Sequence, residues 1–99
     1  MEMNTSCPNE GHNRLLCHDP HLVGEITEAV KNEIGDRPLI VKLAYIPNDT
    51  DLETMVRETV GHGTVQGFST INTISARLVD ANGNQALPGA GRDRSGVCG

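Results

Sequence analysis

Aromatic side chains are scarce in this sequence: 99 residues carry one Phe, one Tyr and no Trp. Any core must therefore be aliphatic. A free-standing domain of this size buries only ~60–70% of the surface its unfolded chain exposes. Such a domain is marginal unless something else covers it. Basic residues are also few, with 8 Lys plus Arg against 13 Asp plus Glu and a net charge of −5. No basic stripe exists, which argues against a nucleic-acid partner. No apolar run approaches the roughly 20 residues of a membrane span. Met1-Glu2-Met3-Asn4 lacks the charged-then-apolar pattern of a secretory leader, so a cytoplasmic location is expected. The cysteines number three, and a disulfide framework would leave one unpaired. Cys7, Cys17 and Cys98 read as thiols of a reducing compartment. With no leader expected, the glycosylation patterns at Asn4-Thr5-Ser6 and Asn48-Asp49-Thr50 read as chance matches.

Several chemical signatures are missing too. There is no dinucleotide-binding glycine fingerprint and no phosphate loop ending in Gly-Lys-Ser or Gly-Lys-Thr. The Gly-x-Ser-x-Gly elbow of the hydrolases is absent. His12, Cys17, His18 and His21 cluster in sequence with Cys7, but the spacing fits no common zinc pattern. No metal is expected, and the cluster reads as polar loop.

What remains is a pattern of alternating elements. Hydrophobic residues make up 36% of the chain, with 11 glycines besides, which is ordinary for one globular unit. Met1 to Ser6 reads as a strand end, broken at Cys7-Pro8-Asn9 because proline forces its predecessor extended and removes a donor. A polar loop runs from Glu10 to Asp19. Asp19 caps a helix with Pro20 at its first position. Leu22, Val23, Ile26, Ala29, Val30 and Ile34 form its apolar stripe, and Gly35 ends it. Leu39 to Tyr45 is a compact apolar run around Lys42, the pattern of a strand buried on both faces. Thr50 or Asp49 caps a second helix with Leu52, Met55, Val56 and Val60 as its stripe, stopped by Gly61 and Gly63. Val65 to Ile74 is the next strand. From Ser75 to Gly99 the chain is expected to be irregular, with turns at Asn82-Gly83 and Pro88-Gly89. Strands alternating with helices imply an α/β fold with parallel strands in two βαβ units.

The polar residues collect at one kind of place. Asn4, Cys7 and Asn9 lie at the carboxyl end of the first strand, Lys42 within the second, and Asn72 and Thr73 at the end of the third. In α/β proteins ligands bind outside the carboxyl ends of the strands. Lys42 could snorkel to solvent from an edge strand. Amid apolar neighbours, a buried ammonium instead calls for an acceptor on a ligand or a carboxylate. Asn72 could satisfy loop backbone, and Cys7 could be a small core residue. Cys7 is followed by Pro8 in a loop, where packing value is low. Cys17 and Cys98 have no partner pattern.

Four segments, taken in order, resemble the dihydroorotate dehydrogenase family. Asn4-Thr5-Ser6-Cys7-Pro8-Asn9 is similar to its Asn-x-Ser-Cys-Pro-Asn segment. Val41-Lys42-Leu43 resembles the strand that carries its flavin lysine. Ile71-Asn72-Thr73 resembles its Asn-Thr or Asn-Ser pair, and Arg94-Ser95-Gly96 its later Ser-Gly. The resemblance implies a flavoprotein, an FMN-containing (β/α)8 TIM barrel of roughly 300 residues. Residues 1–99 would then be part of the catalytic domain, from the middle of the barrel.

The resemblance also implies roles. Asn4, Lys42, Ser95 and Gly96 would contact FMN, with Lys42 near N1 and O2 of the ring. Asn9, Asn72 and Thr73 would hold the pyrimidine substrate. Cys7 would be the general base of an oxidoreductase that converts dihydroorotate to orotate in pyrimidine biosynthesis; a cysteine there marks the soluble class. Expected partners are the small-molecule pyrimidine and the remainder of the barrel, with a homo-oligomer left open. Three parallel strands cannot close a barrel, so the 99 residues alone are expected to be inactive. Leu15 to Pro20 also looks like dihydropyrimidine dehydrogenase, a uracil and thymine reductase with the same barrel, although Asn9 favours an orotate-type substrate. A non-catalytic α/β remnant or interaction module is the reading from a different class.

Overall fold

A computed structural model describes residues 1–6, 15–87 and 94–98. Strand β1 (Glu2–Asn4) is followed by a 3-10 turn (Leu16–His18), helix α1 (Pro20–Ile34), β2 (Ile40–Lys42), α2 (Asp49–Thr59) and β3 (Gly67–Ser69). Strands β4 (Thr73–Ala76) and β5 (Ser95–Cys98) complete the chain. The first three strands form a parallel sheet in the order β1-β2-β3. Helices α1 and α2 pack on each other, so both cover the same face of that sheet. Sequential parallel strands with helices on one side form an arc of a (β/α)8 barrel; a doubly wound sheet covers both faces. The expected fold class, an α/β fragment of a TIM barrel, is what the structure presents.

The first helix follows its capping signals closely, but of its expected stripe only Val23 is buried, and Ala29 is exposed. The Asp19 carboxylate accepts from the Leu22 amide at 3.2 Å, and Pro20 opens the helix. Gly35 ends it at φ 64°, a conformation that costs a side chain with a Cβ. The buried residues of α1 are Val23, Gly24 and Thr27. At Gly24 an added Cβ would lie 3.1 Å from the Glu58 carbonyl oxygen, so glycine is what lets the helices approach this closely. Thr27 is fully buried because its hydroxyl has local partners, the Gly24 carbonyl at 3.0 Å and the Thr64 hydroxyl at 3.2 Å.

Helix α2 departs from expectation. Asn48, rather than Thr50 or Asp49, is the cap, accepting from the Thr50 amide at 2.8 Å. Of its anticipated stripe only Met55 is buried; Leu52, Val56 and Val60 stay about 40% exposed. They recur every four residues on a side of α2 that no described element covers.

Strand β2 alternates: Leu39, Val41 and Leu43 are buried, while Ile40 and Lys42 are half-buried. The expectation of burial on both faces is therefore corrected. One face is sealed by the helices and the other is only partly covered. The core consists of Cys17, Val23, Leu39, Val41, Leu43, Ala44, Met55 and Val65, with Met3 and Phe68 packed against it.

Two further corrections concern the tail. The strand expected over Val65–Ile74 pairs only at Gly67–Ser69, because its neighbour β2 ends at Lys42. The segment after Ser75 is not wholly irregular: β4 and β5 form an antiparallel ladder from Thr73↔Cys98 to Ala76↔Ser95. The turn at Asn82-Gly83 is present, with Gly83 at φ 82° and the Asp80 carboxylate accepting from the Asn82 and Asn84 amides. Pro88-Gly89 lies outside the described residues.

Candidate functional site

Register fixes the geometry of the site. Across the parallel sheet Met3, Val41 and Phe68 are neighbours, and so are Asn4, Lys42 and Ser69. Successive residues of a strand point to opposite faces. The first row packs into the core beneath the helices. The second row therefore lies on the face turned away from them, at the carboxyl end of all three strands. The structure thus brings Asn4 and Lys42 side by side, as their positions in the sequence suggest. It adds Ser69, which sequence reasoning missed because the third strand was read as running on to Ile74.

Hydrogen bonding differs along this row. The Asn4 side-chain Oδ1 accepts from the Ser6 amide at 2.9 Å and the Ser6 hydroxyl at 2.5 Å, folding the chain back just after β1. Thr5 is buried, and its hydroxyl donates to the Lys42 carbonyl at 2.7 Å, which ties the end of β1 to β2. The Lys42 ammonium and the Ser69 hydroxyl have no hydrogen-bond or ion-pair partner among the described residues. A half-buried ammonium on a partly covered sheet face is open to an acceptor from outside.

Asn72 and Thr73 do not sit on the third strand. Asn72 is held beside the end of β2 by its amide, which donates to the Leu43 carbonyl at 3.0 Å. Its side chain stays at the carboxyl edge, half-buried, with no hydrogen-bond partner among the described residues. Thr73 opens β4, and its side chain lies 3.2 Å from where a Cβ on Gly96 would be. The hairpin thus joins two predicted residues, Thr73 and Gly96, that are 23 positions apart in the sequence. Arg94 locks this end: its Nε donates to the Ser75 hydroxyl at 3.0 Å and its guanidinium to the Ser75 carbonyl at 2.7 Å. Ser95 is half-buried beside it. A cleft of about 400 Å³ lies between the end of β2 and the hairpin, lined by Ala44, Tyr45, Thr73, Ser75, Arg94 and His18 among others. Cys7 and Asn9, the remaining predicted residues, lie outside the described residues, as does His12.

The other two cysteines have distinct surroundings. Cys17 is a core residue, and burial pushes its thiol pKa above the ordinary value, opposed by backbone hydrogen bonds at Ala44 and Cys17. Cys98 is exposed on β5. His21 projects from α1 and pairs with Glu58 of α2 at 3.4 Å. No group of three metal-ligating side chains occurs among the described residues, and none of the described helices is long and apolar enough to cross a membrane.

Comparison with known proteins places these residues in context. No family model matches the sequence, and no solved structure matches it. Among curated proteins, the dihydroorotate dehydrogenase B (NAD(+)) catalytic subunit of Maridesulfovibrio salexigens is 37% identical over 81 residues, covering 81% of this chain and 26% of the relative. The catalytic subunit of the same name from Solidesulfovibrio magneticus is 38% identical over 81 residues, with the same two shares of 81% and 26%. That from Pyrococcus horikoshii is 38% identical over 80 residues, 80% of this chain and 25% of the relative. The chain thus spans about a quarter of the length of the curated relatives it matches. With a parallel α/β arc and 37–38% identity over four-fifths of its residues, the sequence matches a fragment of the dihydroorotate dehydrogenase family, about a quarter of those relatives' length.

Proposed function

We propose that this chain supplies the central part of the flavin and substrate site of an FMN-dependent dihydroorotate dehydrogenase, which oxidises dihydroorotate to orotate. The observation that carries the reading is the row Asn4, Lys42, Ser69 at the strand ends, with an ammonium at its centre that has no partner among the described residues. Its donor set fits FMN. The pyrimidine edge of the flavin presents carbonyl and ring-nitrogen acceptors, and the row offers an ammonium and a hydroxyl on the open face. When bound, FMN supplies the acceptor for the hydride that leaves carbon 6 of the substrate.

The chain's residues do the rest. Lys42 sets a positive charge where the ring gains negative charge, a stabilisation worth most in a site that excludes water. Cys7 takes the proton from carbon 5, so proton and hydride leave adjacent carbons and the carbon–carbon double bond of orotate forms between them. A thiol of ordinary pKa near ~8.5 serves as base when local positive charge lowers it. Asn9, Asn72 and Thr73 orient the pyrimidine by amide and hydroxyl contacts. Ser95 and Gly96 bring backbone up to the flavin. The remainder of a barrel completes the site, and the place of action is the cytoplasm.

The test uses the native polypeptide that carries this sequence, purified from its source. It is expected to hold FMN, and dihydroorotate added without oxygen bleaches the flavin's visible absorbance. Lys42→Ala lowers the flavin content; Cys7→Ala keeps the flavin but blocks bleaching. A native polypeptide that takes up no FMN, or whose flavin stays oxidised with dihydroorotate, overturns the reading. The 99-residue chain by itself is expected to hold FMN no better than weakly and not to turn over; micromolar affinity would contradict that.

A further inference from the structure

We infer that Ser69 is a further ligand-binding residue of this site, its hydroxyl contacting the same pyrimidine edge of the flavin that Lys42 meets. The inference rests on the flavin reading above and extends it to a residue that neither the motifs nor the relatives' names single out. Its basis is register. Ser69 is the direct cross-strand partner of Lys42, and Lys42 of Asn4. In-register neighbours of a parallel ladder share a face. Neighbouring strands lie ~4.8 Å apart, so the three positions span ~10 Å along one line. That suits one edge of a fused planar ring.

The backbone of Ser69 is committed, since its carbonyl accepts from the Leu43 amide at 3.0 Å. The hydroxyl is not: it has no hydrogen-bond partner among the described residues. Serine and threonine hydroxyls often bond nearby backbone, as the helical Thr27 and Thr59 do here. Ser69 keeps it on a partly covered face, beside an ammonium that also has no partner among the described residues. Two open donors on adjacent strands define a two-point contact for a ligand with adjacent acceptors. A hydroxyl also accepts, so Ser69 can meet either a carbonyl or a ring N–H.

A pair of β-branched substitutions isolates the hydroxyl: Ser69→Thr keeps it and Ser69→Val removes it at nearly the same shape. Both residues suit a strand. Apo forms of the native polypeptide carrying this sequence are titrated with FMN and with riboflavin, followed by flavin fluorescence, and the thermal midpoint of each apo form is recorded. Ser69→Thr is expected to bind within about two-fold of the parent, and Ser69→Val ~3–10-fold more weakly, the span of one ordinary hydrogen bond. The loss should be equal for FMN and riboflavin, since the contact is to the ring, and the midpoints should agree. Equal affinity of the two variants overturns the role of Ser69 and leaves the flavin reading standing. A loss confined to FMN, or matched by a fall in the thermal midpoint, also overturns it. Failure of the parent itself to bind FMN overturns the flavin reading, and this inference with it.

Discussion

The two ends of this molecule are held by different forces. From Met1 to Ser69 the described chain is layered: a parallel sheet, two capped helices and eight buried core residues. From Thr73 to Cys98 it is a two-stranded ribbon whose residues are exposed or half-buried, with Ile74, Val79, Leu87 and Val97 all open to solvent. No core residue comes from the ribbon. The radius of gyration reflects this: 16.1 Å against ~13 Å for a compact chain of this length. Apolar burial is the dominant favourable contribution to folding, so the layered part should carry nearly all of the stability. An isolated two-stranded ribbon is marginal in water. Yet each part holds predicted site residues: Lys42 and Asn4 in the layered one, Thr73, Ser95 and Gly96 in the ribbon. A site assembled across such a divide inherits its rigidity from one side only.

Substitution in the two parts should expose the contrast. Leu39→Ala removes a fully buried side chain and is expected to cost about 2–5 kcal/mol in urea unfolding. Ile74→Ala, on the ribbon, should shift the same curve by less than ~0.5 kcal/mol. Similar losses at both positions would show that the ribbon is packed in solution. Next in size, Asn48→Ala removes the cap of α2 and should cost about 1 kcal/mol.

The smallest effect concerns Cys17 and Cys98. Cys98 should react with a thiol reagent at once, and Cys17 only as fast as the layered part opens. Because burial raises the Cys17 pKa, the folded state holds its proton over a pH range in which the unfolded state has lost it. Stability is then fully present below the ordinary thiol pKa and declines as pH rises from there to the folded value. Cys17→Ala should flatten the fall in unfolding midpoint above about pH 9 relative to the parent. An unchanged slope would mean that the thiol is not desolvated.

The layered part was legible in the sequence where its signals are local. Asp19-Pro20 and Gly35 bound α1 because capping and φ preference act within one turn. The apolar run at Leu39 located β2. Its two faces were misjudged because composition counts apolar neighbours without saying which side they point to. The α2 stripe was read as buried because periodicity marks a face and says nothing of what lies against it. The pairing of β4 with β5 was out of reach, since it joins residues about twenty positions apart and neither strand has an apolar pattern. The site divides the same way. Lys42 and Asn4 announce themselves as polar residues at apolar strand ends, whereas Ser69 becomes visible only once the register with Lys42 is known.

The alternation along β2 also bears on how this segment can change over time. Residues 39, 41 and 43 hold the fold, while residues 40 and 42 face outward, so the two sets answer to parity alone. Substitutions at the even positions can alter chemistry while leaving the interior intact. A one-residue deletion between Pro38 and Ile40 would do the reverse, exchanging the sets and driving the Lys42 ammonium into the interior. A shift in length is ruinous here because it would move Lys42 off the open face, so lineages of this segment should keep the residue count of the strand fixed even where Ile40 is replaced.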